Sequence, residues 1–210
     1  SLLFAYLNSN KRGITLNVRS PDGLKILKEL LSQIDVLVES NQPRMMENIG
    51  LDYHSLSRLN PSLIVTSITP FGQTGPYRDY KSTDLVSFHI GGIGYATPGD
   101  VDDPDNHPPL NAPGHQSSLM AGVTGAAATM SAILAREFTG RGQHVDISEQ
   151  ETLVRAQARA VVSHVHKGET PTRIAGMGKP IATRKPIMAK DGYFTVQLLT
   201  DNFWESIKRF

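Results

Sequence analysis

The chain of 210 residues carries 21 Lys+Arg against 20 Asp+Glu, a formal charge of +1, with 39% hydrophobic residues and no cysteine. That balance is one of a folded globular chain, and it excludes a disulfide framework, a cysteine-ligated zinc site and thiol catalysis. The densest basic pairs, Lys11-Arg12 and Arg184-Lys185, are short and far apart, so the stripe that nucleic acid would require is missing. No apolar run approaches the ~20 residues of a membrane span, and the N-terminus lacks the pattern of a signal peptide. A cytoplasmic chain with no membrane and no nucleic-acid partner is therefore expected. Ser1 leads directly into an apolar run, and Phe203, Trp204, Ile207 and Phe210 form one helical face that stops before any cap. Both ends read as cut from a longer protein.

In chain order, Ser20-Pro21-Asp22 is a helix start, combining a hydroxyl cap, proline at the first position and an acid at the positive dipole end. Leu24, Leu27, Leu30 and Leu31 follow on one face. Ile34–Val38 and Leu63–Ile68 read as strands, with a small helix at Tyr53–Leu59 between them. This order implies a parallel pair with a right-handed crossover, and such sheets bind ligands at the carboxyl ends of their strands. Those ends carry Glu39-Ser40-Asn41-Gln42-Pro43-Arg44 and Pro70-Phe71-Gly72-Gln73-Thr74-Gly75-Pro76. A proline- and aspartate-rich loop, Tyr95–Gly114, leads into a small-residue helix over Ser117–Phe138, expected to be buried, with Met120, Val123, Ala127, Met130, Ile133 and Leu134 on or near one side and Gly122, Gly125, Ala126 and Ala128 allowing close approach. Gln143–Ile147 reads as a strand, and Ser148-Glu149-Gln150-Glu151 as a capping box opening a helix to about His166. After a Pro-, Gly- and Lys-rich stretch, Asp191-Gly192 turns into a strand over Tyr193–Leu198.

Three weaker patterns have plainer readings. Gly91-Gly92-Ile93-Gly94 lacks the third glycine and the strand–loop–helix setting of a dinucleotide loop, so it reads as a turn. Asp100, Asp102, Asp103, Asp105 and His107 lack the glycine and terminal glutamate of an EF-hand, with Pro104 breaking the alternation; they read as a solvated acidic loop, and no metal site is expected. His164 and His166 point to different sides of a helix and read as cations at its negative end.

Five blocks occur in a characteristic order: Asn8–Asn17, Asp35–Glu39, Gly50–Tyr53 with Leu59-Asn60-Pro61, Gly72–Tyr77, and Thr139–Ser148. Together they resemble the family III CoA-transferases, the group of formyl-CoA transferase, carnitine CoA-transferase and α-methylacyl-CoA racemase. The resemblance implies an α/β fold with a Rossmann-like parallel sheet and flanking helices, in a homodimer whose subunits interlock. Residues 1–166 would belong to the large domain without its N-terminal strand, 167–190 to a linker and 191–210 to the start of a small domain. It further implies coenzyme A as co-substrate, no permanently bound cofactor, and an acyl-CoA and a carboxylic acid as partners. The implied CoA contacts are Leu16, Arg19, Ser40, Asn41, Asn48, Ile49 and Lys81, with Arg19 and Lys81 suited to phosphates. The family's Glu-Asn-Phe-x-Pro-Gly stands here as Glu39–Arg44, without the aromatic that lies near the adenine.

The family's transferases attack the thioester with an aspartate at the start of the small-residue helix, then carry CoA as an aspartyl thioester. Here that position is Ser118, which forms only an ordinary ester and needs a base. His115, three residues earlier, is the candidate base, although Ser117 and Ser118 are equally natural helix caps. Asp84 is the nearest preceding carboxylate, readable as a substitute acid or as a partner of Lys81. The expected function is CoA transfer between carboxylic acids with Ser118 at the acid's place. The alternatives are a non-catalytic CoA-binding paralogue, a thioesterase acting through Ser118 and His115, and a racemase, whose two bases would fall on Thr83 and Ser118.

Overall fold

The computed structural model describes residues 1–97, 103, 106–170, 187–194, 202, 205–206 and 208–209. Its elements run α1 (Leu2–Leu7), α2 (Pro21–Leu31), β1 (Val36–Glu39), α3 (Met45–Asn48), α4 (Tyr53–Leu59), β2 (Ile64–Thr69), α5 (Asp84–Ile90), α6 (Gln116–Thr139), β3 (His144–Ser148), α7 (Glu149–Ala156), α8 (Ala158–Lys167), β4 (Ile187–Met188) and β5 (Tyr193–Phe194). The chain divides into two compact units, one of Ser1–Ile68 with Gly125–Asp146, the other of Thr69–Thr124 with Ile147–Phe210. Phe203, Trp204, Ile207 and Phe210 of the expected terminal helical face, most of the stretch 167–190, the strand beyond Phe194 and Asp100, Asp102 and Asp105 of the acidic loop lie outside the described residues.

The first unit is an α/β layer. Its three strands are ordered β1-β2-β3, and β1 runs parallel to β2 from Val36↔Ile64 to Glu39↔Ser67. β2 is buried along nearly its whole length, as a central strand covered on both faces must be. Leu31 of α2, Leu51, Leu56 of α4, Leu63 and Val65 form the core, with Leu24, Leu27, Leu37, Met46, Ile49 and Tyr53 packed against it. Ser20 opens α2 as expected, its hydroxyl accepting the Gly23 amide at 3.1 Å. Asn60 ties α2 to the sheet by donating to the carbonyls of Leu31 and Ile34 at 3.2 and 3.0 Å. Gly142 donates its amide to Pro61 O at 2.9 Å, and a Cβ there would collide with the Leu63 carbonyl. Only glycine permits this approach of the loop before β3 to the start of β2.

In the second unit α5 packs on α7. Leu153 of α7 and Phe88 of α5 are buried, and a Cβ on Gly91 would overlap the Leu153 side chain. Gly91-Gly92 thus serves helix contact and the end of α5, where Gly92 turns at φ 87°. Ser148 caps α7 through the Glu151 amide at 3.2 Å. The helix expected to continue to His166 breaks at Gln157 (φ −90°, ψ 25°) and resumes as α8, with neither proline nor glycine to announce the break. β4 and β5 pair antiparallel across Asp191-Gly192, with the Ala189 amide on Gly192 O at 2.7 Å.

α6 departs from the sequence reading in two respects. Its buried stripe is Ser117, Ala121, Gly125, Thr129 and Ala132, at i, i+4, i+8, i+12 and i+15, whereas Val123, Met130, Leu134 and Phe138 on the opposite side are exposed. The small residues face inward because they admit close approach, and the Thr129 and Thr66 hydroxyls meet at 2.6 Å. By length and composition α6 could also cross a membrane, contrary to the expectation that no segment approaches that size. A core helix meets the same criterion, and the inward stripe is packed within this protein.

Candidate active site

The N-terminus of α6 leaves orphan amides that must find acceptors. Neither Ser117 nor Ser118 caps it with its hydroxyl. Asp84, the first residue of α5, does so from another element: its Oδ1 accepts the Ser117 amide at 2.9 Å and the Ser118 amide at 3.4 Å. The Ser117 hydroxyl donates to the Asp84 carbonyl at 3.0 Å, and Ser117 is wholly buried. An anion on paired amides at a helix start is a strong arrangement. Among the described residues no ion pair joins Lys81 to Asp84, which corrects that expected pairing. Thr83 caps α5 itself, its hydroxyl accepting the Val86 amide at 3.5 Å.

Ser118 is exposed, and its hydroxyl donates to Glu149 Oε1 at 3.1 Å. The other carboxylate oxygen of Glu149, Oε2, accepts the hydroxyl of buried Ser87 at 2.6 Å, and Ser87 in turn meets Ser82 at 2.9 Å between hydroxyl oxygens. Glu149 is the first residue of α7, directly after β3, so it sits where a strand ends and a helix begins. The packing of Leu153 on Gly91 lies one turn beyond Glu149 and Ser87 and holds their helices together. His115 is exposed and stands at φ 57° just before α6, where its carbonyl accepts the Leu119 amide at 3.0 Å. No hydrogen bond links its ring to Ser118, so a Ser118–His115 pair is not assembled.

The remaining expected contacts belong to the first unit, apart from exposed Lys81 in the second. Arg19 is exposed, its amide on Asn17 Oδ1 at 3.1 Å. Ser40 and Asn48 are exposed, while Leu16 is partly covered. Asn41 is held by buried Glu39, whose Oε2 accepts both its amide and its side chain at 2.8 and 3.0 Å. Ile49 packs on the hydrophobic core. Arg44, where the resembling pattern has glycine, adopts a left-handed backbone at φ 69° before α3. A groove of about 420 Å³ in this unit, lined by Pro21, Leu24, Lys25, Lys28, Glu29, Ser32 and Leu59, contains none of the expected CoA contacts. Among the described residues no group of three His, Cys, Asp or Glu could hold a metal ion.

Glu149 was missed because the capping-box reading of Ser148–Glu151 accounted for it fully. The available signal was its place at the carboxyl end of a strand, where ligands bind in such sheets.

The chain is 36% identical over 155 residues to the succinyl-CoA–L-malate CoA-transferase beta subunit of Chloroflexus aurantiacus, covering 74% of this chain and 37% of that protein. It is 31% identical over 207 residues to the acetyl-CoA:oxalate CoA-transferase of Acetobacter aceti, covering 99% of this chain and 52% of that one. The crystal structure of a CAIB/BAIF family protein from Brucella suis superposes with a TM-score of 0.78 at 29% identity, over 98% of this chain and 54% of its own. The chain thus spans about half the length, or less, of the proteins it matches. The expected α/β fold and family resemblance hold, and with the family model for CoA-transferase family III matching residues 1–210 from end to end, the chain belongs to that family.

Proposed function

We propose that the full-length protein transfers CoA between a carboxylic-acid thioester and an acceptor carboxylate, with coenzyme A as co-substrate and no resident cofactor. The match of the whole chain to a CoA-transferase family carries this reading. The relatives' names include succinate, malate and oxalate, all dicarboxylic acids, which supports a dicarboxylate on at least one side of the exchange. Leu16, Arg19, Ser40, Asn41, Asn48, Ile49 and Lys81 are proposed to bind CoA, the two exposed cations at its phosphates and Ile49 through the edge it leaves open. The protein is proposed to work as a homodimer in the cytoplasm, away from membranes and nucleic acid.

The test is identity exchange. Full-length protein is incubated with succinyl-CoA and labelled succinate, and in parallel with malyl-CoA and labelled malate and with oxalyl-CoA and labelled oxalate. Label entering the thioester supports the reading, and its absence in all three overturns it. A second reading is favoured by the serine at the acid's position and by the relative named as a beta subunit: a CoA-binding subunit without chemistry of its own. It predicts CoA binding without exchange, and exchange gained in Ser118→Asp. The racemase reading has less support, because Thr83 is engaged as a helix cap and Ser118 is no acid. Hydrolysis through His115 likewise lacks the required hydrogen bond.

A further inference from the structure

We infer that Glu149 is the carboxylate nucleophile of the exchange, with Ser118 orienting it; the inference rests on the transfer reading above. The reaction sets its own requirement. Moving CoA between two carboxylates without spending its activation needs an acyl carrier as energetic as a thioester. A seryl ester is too stable, whereas a protein carboxylate forms an anhydride and then a thioester. Among the described residues two carboxylates, Asp84 and Glu149, bond to the first turn of α6. Asp84 is committed, since its Oδ1 holds two backbone amides, one on a fully buried residue. Among the described residues Glu149 is held only by hydroxyls, which rotate away without orphaning a backbone group: Ser87 on the buried side at 2.6 Å and Ser118 on the exposed side at 3.1 Å. Ser87 fixes one oxygen, and Oε1 is the one reached through an exposed residue. That is the oxygen presented to an incoming thioester.

The steps balance without water or redox change. Glu149 Oε1 attacks the thioester carbonyl carbon, the C–S bond breaks, and CoA thiolate leaves a mixed anhydride. Thiolate attacks the Glu149 carboxyl carbon, expelling the donor carboxylate and leaving a γ-glutamyl-CoA thioester. The acceptor carboxylate attacks that carbon and displaces thiolate, which then attacks the acceptor carbonyl, giving new acyl-CoA and free Glu149. Ser118 donates a hydrogen bond to the resting carboxylate. It stands beside the oxyanion of each tetrahedral intermediate.

One consequence is specific to a nucleophile: each turnover deposits an acceptor oxygen on the protein. Full-length protein turning over succinyl-CoA with ¹⁸O-succinate should acquire ¹⁸O in the peptide Gly142–Arg155, localised by fragmentation to Glu149 rather than to Asp146 or Glu151. Glu149→Gln should lower exchange more than about 1,000-fold, and Ser118→Ala about tenfold with the label still on Glu149. Label on another acid, or exchange in Glu149→Gln within threefold of wild type, overturns the assignment and leaves the transfer reading standing. Absence of exchange in wild type with all three acids overturns both. The ¹⁸O experiment uses unaltered protein, so it decides the matter even if Glu149→Gln does not fold.

Discussion

Arg44 holds a left-handed backbone at φ 69° where glycine would be unstrained. Unfolding midpoints should therefore rank Arg44→Gly at or above wild type and Arg44→Val about 1–2 kcal/mol below it, because a β-branched side chain tolerates this region worst. Asp84 presents the clearest choice between a structural and a chemical role. As the cap of α6 it leaves the buried Ser117 amide unpartnered when removed, so Asp84→Ala should cost about 1–3 kcal/mol in denaturant unfolding. Asp84→Asn keeps an acceptor oxygen and should recover most of that stability while retaining exchange. If Asp84 were itself the nucleophile, Asn would abolish exchange at undiminished stability. At this scale the sequence pointed to the right neighbourhood through Ser118 and Asp84. It could not reveal their partners: Ser118 and Glu149 are 31 residues apart, and only packing of α5 against α7 brings Ser87 and Glu149 together.

Helix ends were the most legible elements, because caps are local. Ser20 and Ser148 each accept an amide three residues on, as expected of hydroxyl caps, and Asp52 caps α4 in the same way. The Asp52 cap also has a pH signature. Hydrogen bonds from the Ser55 hydroxyl, and then from the Ser55 amide, hold its carboxyl below the ordinary aspartate value. A lowered folded value means that the cap's charge-dependent stabilisation is complete above the unfolded value near pH 4 and is withdrawn as pH falls through the folded one. Asp52→Asn should keep the cap and lose this acid-side slope, so the two unfolding curves should differ in pH dependence below about pH 4 and run parallel above it. Between elements, Gly91 sets the spacing of α5 and α7. Gly91→Ala forces its Cβ into Leu153 and should destabilise by about 1–3 kcal/mol. It should also lower exchange, since the same two helices position Ser87 and Glu149; thermal unfolding and identity exchange measured on one preparation check both. The break at Gln157 was illegible because an alanine-flanked glutamine carries no breaking signal.

In the molecule as a whole, α6 leaves Val123, Met130, Leu134 and Phe138 exposed along one side. An apolar stripe of this kind associates when nothing covers it. Residues 1–210 expressed alone should self-associate by light scattering, and Val123→Glu with Phe138→Glu should reduce that association without shifting helix content by circular dichroism. The sequence reading expected α6 to be buried with Val123, Met130 and Leu134 near one side; that side is exposed, because the small residues carry little hydrophobicity yet are the ones that fit inside. Local signals alone determined the α/β class, the parallel pairing of the first two strands, the helix starts at Ser20 and Ser148 and the family, since each depends on neighbouring residues or ordered motifs. Only the tertiary structure decided which face of α6 is inward, that Asp84 serves an amide pair rather than Lys81, and that a carboxylate from α7 meets Ser118. Those outcomes depend on contacts between residues far apart in the chain, where steric fit and the demand for hydrogen-bond partners outweigh anything written in a local pattern.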